Sequence, residues 1–238
     1  KLRTLLNDVF ISERDADGDL FEFAPLLYCE ENVENLRVVR DGKTIVGHAG
    51  ILPRPIRWRG QDFEAGLIGG VCAREDLRGQ GIGTLAMRDA AERMAELGLD
   101  FGVLWTGSHG FYERLGWRTA GGVSIMRIEE APGQAECCCE MMRLDESPIG
   151  PEDCHRLHEK TLRHEVIRSQ EETVTLITSA RRGTYIALEG GRLSGYATFI
   201  GEAIREIEGE AEICVSLLEY AASRGARRCF FPLNDPRL

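Results

Sequence analysis

Apolar residues at Leu2, Leu5, Leu6, Val9 and Phe10 recur at helical spacing, which predicts that the chain opens with a helix. The period then changes. NLRVVRDGKTIVGHAGILPRPIRWRG carries two β-rich runs around the turn Asp41-Gly42, the second ending near Pro53 and Pro55, and this is a hairpin signature. EAGLIGGVCA has the composition of a strand, and Gly66, Gly69 and Gly70 within it point to a bulge or a close backbone approach. From Gly81 to Leu97 the spacing of Ile82, Leu85, Ala86, Met94 and Leu97 predicts a helix that stops at Gly98. FGVLW is the next strand, and SHGFYERLG a short helix capped by Ser108 and ended by Gly116. WRTAGGVSIMRIE closes the first half with β-type composition. An antiparallel meander therefore feeds one βαβ unit, an α+β or mixed αβ pattern.

The second half repeats part of the first. VVRDGKTIVGHAGI (38–51) aligns without a gap on IALEGGRLSGYATF (186–199), matching Gly42 with Gly190, Gly47 with Gly195 and Ala49 with Ala197. More weakly, AERMAELGLDFGVLW resembles EYAASRGARRCFFPL. A tandem duplication is the simplest account, with domains at 1–130 and 131–238, the second incomplete at its C-terminus. Where the first copy has a glycine-rich turn, the second has GEAIREIEGEAEICVSLL.

At 238 residues the chain is long enough for two domains of ordinary size. No window approaches the length of uncharged apolar sequence that a membrane span requires. The formal charge of −10 argues against a nucleic-acid surface and for cationic partners. The eight cysteines, at 29, 72, 137–139, 154, 214 and 229, form no C-x-x-C pair. This usage fits a reduced, cytoplasmic protein with no metal site. CHRLHEKTLRH, with Cys154 and His158 four apart, reads as an amphipathic helix with solvated histidines.

Candidate chemistry gathers at RGQGIGT, between the glycine-rich strand and the amphipathic helix. Unsatisfied N–H groups and the positive end of the dipole make a helix N-terminus a dock for anions. Glycines let phosphate oxygens reach that backbone. A Walker A loop needs a Lys, which is lacking here. GIGTLA formally matches a dinucleotide fingerprint, but REDLR separates the strand from the first glycine, and Asp100 opens the next strand where that fold has an acid closing it.

VCAREDLRGQGIGTL followed by FYERLGW resembles the GCN5-related N-acetyltransferase (GNAT) family. The family's phosphate motif [QR]-x-x-G-x-[GA] is met by Arg78, Gly81 and Gly83. The similarity covers residues 1 to about 128, and the repeat extends a weaker likeness onward, as in tandem, Eis-like members. The resemblance implies a GNAT-type mixed sheet with flanking helices, and a second GNAT-like copy without the phosphate loop. It also implies acetyl-CoA as cosubstrate, held by Val71, Cys72 and Ala73 along the pantetheine arm and by Arg78, Gly79, Gln80, Gly81, Ile82, Gly83 and Thr84 at the phosphates. A backbone N–H at the strand bulge would stabilise the developing oxyanion. Cys72 is expected to be a buried small residue, not a nucleophile.

Tyr112 matches the family's phenol that protonates the departing thiolate, and an unperturbed phenol is protonated at neutral pH. For the amine's proton the candidates are Glu64, His48 and His109, or a water chain that leaves no trace in sequence. The expected activity is acyl transfer from acetyl-CoA to a primary amine by direct attack in a ternary complex. A non-catalytic acyl-CoA-binding or regulatory module is the alternative. The expected acceptor is a cationic small molecule or peptide, with neither nucleic acid nor membrane as partner. A homo-oligomer stays open, since no motif addresses it.

Overall fold

A computed structural model describes residues 1–12, 18–128, 139–161, 166–179 and 182–232. The domain boundary expected at 130/131, Cys137, Cys138, His164 and the end of the second copy beyond residue 232 lie outside the described residues. The chain divides into two compact units: Lys1–Thr119 with Arg163–Arg168, and Ala120–Leu162 with Ser169–Leu238. No helix among the described residues is long and apolar enough to cross a membrane.

The first unit contains α1 (Leu2–Phe10), α2 (Leu20–Phe23), β1 (Leu36–Asp41), β2 (Thr44–Trp58), β3 (Gln61–Ala73), α3 (Ile82–Glu96), β4 (Phe101–Val103) and α4 (His109–Glu113). Its sheet has the order β1-β2-β3-β4, antiparallel until β4, which runs parallel to β3 after the α3 crossover. Helix α3 lays Ala86, Met87, Ala90 and Met94 on Ala49, Ile51 and Ile68 of the sheet. Helix α1 buries Leu5 and Leu6 with Leu27, Tyr28, Ile45 and Cys72. Met87 is 1% exposed, so Met87→Ala should cost about 2–5 kcal/mol. Gly98, at φ +69, ends α3, with Leu99 N–H bonded to Met94 C=O and Gly98 N–H to Ala95 C=O.

Strand β2 does not stop at the prolines but continues through both to Trp58. Strand β1 pairs only as far as Gly50, so Pro53 and Pro55 have no β1 partner on that side, where Val166 and Ile167 run beside Ile56 and Pro55. The Pro55 carbonyl accepts from Ile167 N–H, away from β3. A strand residue's N and carbonyl point the same way. The missing proline N–H therefore costs no ladder bond to β3.

The second unit contains β5 (Val123–Arg127), β6 (Glu140–Arg143), α5 (Pro151–Thr161), α6 (Gln170–Thr178), β7 (Arg182–Glu189), β8 (Arg192–Ile200), β9 (Ala203–Gly209), α7 (Ala211–Ser223) and β10 (Arg228–Pro232). The sheet order is β5-β10-β9-β8-β7-β6. Val123–Arg127, read from the sequence as closing the first half, instead pairs antiparallel with β10 about a hundred residues on. The expectation of solvated histidines on α5 also fails. This helix packs against α6 and the sheet, which buries Cys154, His155 and His158.

The two hairpins aligned in sequence share their local geometry. Gly42 and Gly190 take φ +56 and +55 in the turns. A register irregularity falls between Val39 and Arg40 in one and between Ala187 and Leu188 in the other, the same aligned place. At Gly47 a Cβ would collide with Ile82, the first residue of α3, and at Gly195 with Ile213, the third residue of α7. The connections into those helices differ. Residues 74–81 join β3 to α3, whereas Glu210 alone joins β9 to α7 and serves as its N-cap.

Candidate active site

Strands β3 and β4 pair only through Ala65–Phe101, Gly66–Gly102 and Leu67–Val103. Past Leu67, β3 continues for six more residues while β4 ends. A cavity of about 830 Å³ lies in the opening, bordered by residues 68–73 on one side and 104–108 on the other. Its far wall is the turn into α3, and Phe111, Tyr112 and Arg114 also border it.

The turn supplies backbone donors. Leu85 N–H to Gly81 C=O is the first bond of α3, so the N–H groups of Ile82, Gly83 and Thr84 have no helical carbonyl to bind. Gly81 is the N-cap and has no side chain to occupy them. Gly79 and Gly81 take φ +79 and +85, and a Cβ at either would meet nothing within 4 Å. Glycine is needed there for its backbone conformation, not for room. Gly83 is different: a Cβ would press on the Phe111 ring at 3.3 Å. Bare backbone and a positive dipole end thus face the cavity, an arrangement suited to a phosphate group.

Along β3, three residue steps oppose two on β2 between Gly69–Gly50 and Cys72–His48, so the strand bulges at Gly70–Val71. Gly70 takes φ +63, and a Cβ there would collide with the Tyr28 hydroxyl. The bulge expected from the glycines is present, at a position only glycine fills.

Tyr112 projects from α4, half-buried, and a hydrogen bond links its hydroxyl to Thr106. Burial raises its pKa and the Thr106 bond lowers it, the net effect being a rise. The phenol therefore stays protonated at neutral pH. Ser108 occupies the N-cap of α4 as expected, but its side chain makes no capping bond. Its backbone N–H instead donates to Thr106 Oγ1 at 2.9 Å.

Of the residues singled out in the sequence, Val71, Cys72, Ala73, Arg78, Gly79, Gly81, Ile82, Gly83, Thr84 and Tyr112 border this one cavity. Gln80 does not. Its N–H donates to Leu77 C=O at 3.3 Å and its side chain to Asp76 C=O at 3.4 Å. The Cys72 side chain is buried against Leu5, Leu6 and Tyr28, as expected of a packing residue. None of the three proposed bases borders the cavity. Glu64 sits at the far end of β3, its backbone bonded to Asp100. His109 opens α4 and is exposed. His48 is fully buried with Nδ1 on the Gly70 carbonyl.

Sequence reasoning missed Trp105, Thr106 and Arg114 as lining residues. They follow a three-residue strand, and only their position after its divergence from β3 brings them to the site. A second cavity, of about 860 Å³, lies among α1, the hairpin turn and Arg74–Asp76. Arg74 is paired with Asp76 there at 2.6 Å, and Lys1, the N-cap of α1, and Thr4 in its first turn also line it.

Residues 1–120 match the family model described as an acetyltransferase (GNAT) domain. No curated protein matches the chain. A GCN5-related N-acetyltransferase from Kribbella flavida superposes with a TM-score of 0.64 at 19% identity, over 99% of this chain and 62% of that one. Another, from Anabaena variabilis ATCC 29413, gives 0.68 at 18% identity, over 98% and 62%. Eis1 from Mycobacterium abscessus gives 0.56 at 13% identity, over 84% and 57%. At these identities the likeness is one of fold. The chain spans about three fifths of the length of these solved structures.

Proposed function

Because the chain belongs to the GNAT acetyltransferase family, we propose that its first unit transfers an acetyl group from acetyl-CoA to a primary amine by direct attack in a ternary complex. The observation that carries this reading is the convergence of the uncapped α3 N-terminus, the β3 bulge and Tyr112 on one cavity. Acetyl-CoA supplies a thioester, which reacts with a free amine to give an amide and a thiol.

In this reading the N–H groups of Ile82, Gly83 and Thr84 bind the pyrophosphate, with Arg78, Gly79, Gln80 and Gly81 shaping the turn. The backbone of Val71, Cys72 and Ala73 holds the pantetheine arm in the gap left by β4. A backbone N–H of the bulge donates to the carbonyl oxygen as negative charge grows on it. Tyr112 gives its proton to the leaving sulfur. The step is uphill on its own, because the phenol has a higher pKa than a thiol of about 8.5. It is completed as the phenolate takes a proton back from water, leaving both groups protonated at neutral pH. The amine's proton passes to water, since Glu64, His48 and His109 lie away from the cavity.

The second unit reads as a GNAT-like copy without a phosphate cradle. Support comes from the shared hairpin register and from the single-residue connection between β9 and α7. The acceptor reads as a cationic amine, on the net charge of −10. The test is a free-thiol assay with acetyl-CoA and a panel of cationic, neutral and anionic amines. Amine-dependent thiol release, strongest with cations, is the expected result. Its absence across the panel would favour the non-catalytic alternative.

A further inference from the structure

In the second unit, Tyr196 stands opposite Glu208 and Thr198 opposite Glu206 on neighbouring strands β8 and β9. Directly opposite residues share a sheet face, so all four side chains stand together, and α5 covers them with His158. His158 Nδ1 lies 3.3 Å from Glu208 Oε1 and 3.9 Å from Glu206 Oε1. His158 is 2% and Glu208 4% exposed, and the Glu206 side chain is 18% exposed. The Tyr196 hydroxyl donates to Glu206 Oε1 at 2.5 Å.

We propose that His158, Glu206 and Glu208 form a binding site for one divalent transition-metal ion, with zinc as the best-suited occupant. One imidazole nitrogen and one oxygen from each carboxylate lie within 4.8 Å of one another. A tetrahedral zinc with bonds of about 2.0 Å holds its ligand atoms about 3.3 Å apart, so the observed spacings need only small side-chain adjustments. A mixed imidazole and carboxylate set suits zinc, manganese or iron(II) and lacks the soft sulfur ligands that select copper(I).

An independent observation concerns Thr198. It is fully buried, and its Oγ1 has no hydrogen-bond partner among the described residues. Buried hydroxyls are rarely left in this state. Standing opposite Glu206, this hydroxyl is available to a water completing the coordination of the metal. Tyr196 plays the outer role usual around metal carboxylates, a donor that orients its ligand. The site joins α5 to β9, so the bound ion acts as a structural tie within this unit. It lies outside the residues assigned to acyl transfer.

The test is metal analysis of the full chain after dialysis against zinc, with thermal unfolding followed with and without chelator. The expected result is one zinc per chain, a melting temperature that falls on chelation and recovers on zinc addition, and a visible absorption band on substitution with cobalt(II). Glu208→Gln and His158→Gln should each lower zinc affinity by more than about a hundredfold. Tyr196→Phe should lower it roughly ten- to a hundredfold, as removal of an outer-sphere partner does. If the ligand variants do not fold, the wild-type stoichiometry, the cobalt band and Tyr196→Phe decide. Less than a tenth of an equivalent of zinc in the wild type, with no thermal response, would overturn the proposal. So would unchanged affinity in Glu208→Gln or, should the ligand variants not fold, in Tyr196→Phe.

Discussion

His48 Nδ1 lies 2.8 Å from the carbonyl oxygen of Gly70. A carbonyl only accepts, so Nδ1 carries the hydrogen and Nε2 the lone pair. The imidazole thereby fastens β2 to the bulge of β3, at the strand that borders the candidate site.

Burial lowers the His48 pKa from 6.5 to about 4, partly opposed by the Gly70 bond. Below pH 6.5 the unfolded chain takes up this proton and the folded chain does not, so stability falls as pH drops towards 4. Between pH 7 and pH 5 the loss from this group should be about 2 kcal/mol. Denaturant unfolding of the wild type and of His48→Asn at both pH values checks this. The variant should be less stable at pH 7 and show a loss smaller by about that amount.

Tyr112→Phe should lower kcat roughly ten- to a thousandfold, the scale of a lost general acid, with little change in CoA affinity. Steady-state kinetics and a CoA titration separate the two quantities. Wild-type turnover in this variant would return Tyr112 to a packing role against Phe111 and Trp117, with which its ring makes edge contacts.

If an acidic surface draws a cationic acceptor, kcat/KM for that amine should fall as salt rises, because exposed charges are screened beyond about 10 Å at 0.1 M. A neutral amine of similar size should show no such slope. Kinetics across a salt series distinguish them, and equal slopes would remove the electrostatic argument for the acceptor.

Much of the first unit was legible because its signals are local. Leu5 and Leu6 mark α1, Asp41-Gly42 marks the hairpin, and Gly98 marks the end of α3 where the backbone turns left-handed. The β3–α3–β4 crossover followed from strand, turn and helix in series. What escaped depends on partners distant in sequence. Val123–Arg127 has ordinary β composition, and nothing within it says that β10 is its neighbour. His155 and His158 sit on a helix whose polar composition reads as solvated. They are buried because Thr173 of α6 and Glu208 of β9 supply polar partners. At the candidate site the glycines stood out by type and spacing, and Tyr112 through the family resemblance of FYERLGW. Thr106 and Arg114 did not, since their place is set by where β4 leaves β3.

The account turns on the α3 N-terminus as the one phosphate cradle among the described residues, and titration calorimetry with CoA tests it most directly. The wild type should bind one CoA per chain. Gly81→Asp brings a carboxylate to the uncapped N–H groups and should abolish that binding. Gly81→Asn shares the strain of φ +85, about 1–2 kcal/mol for a residue with a side chain, but adds no charge, and should keep measurable binding. Two CoA sites per chain, or wild-type affinity in Gly81→Asp, would contradict the account.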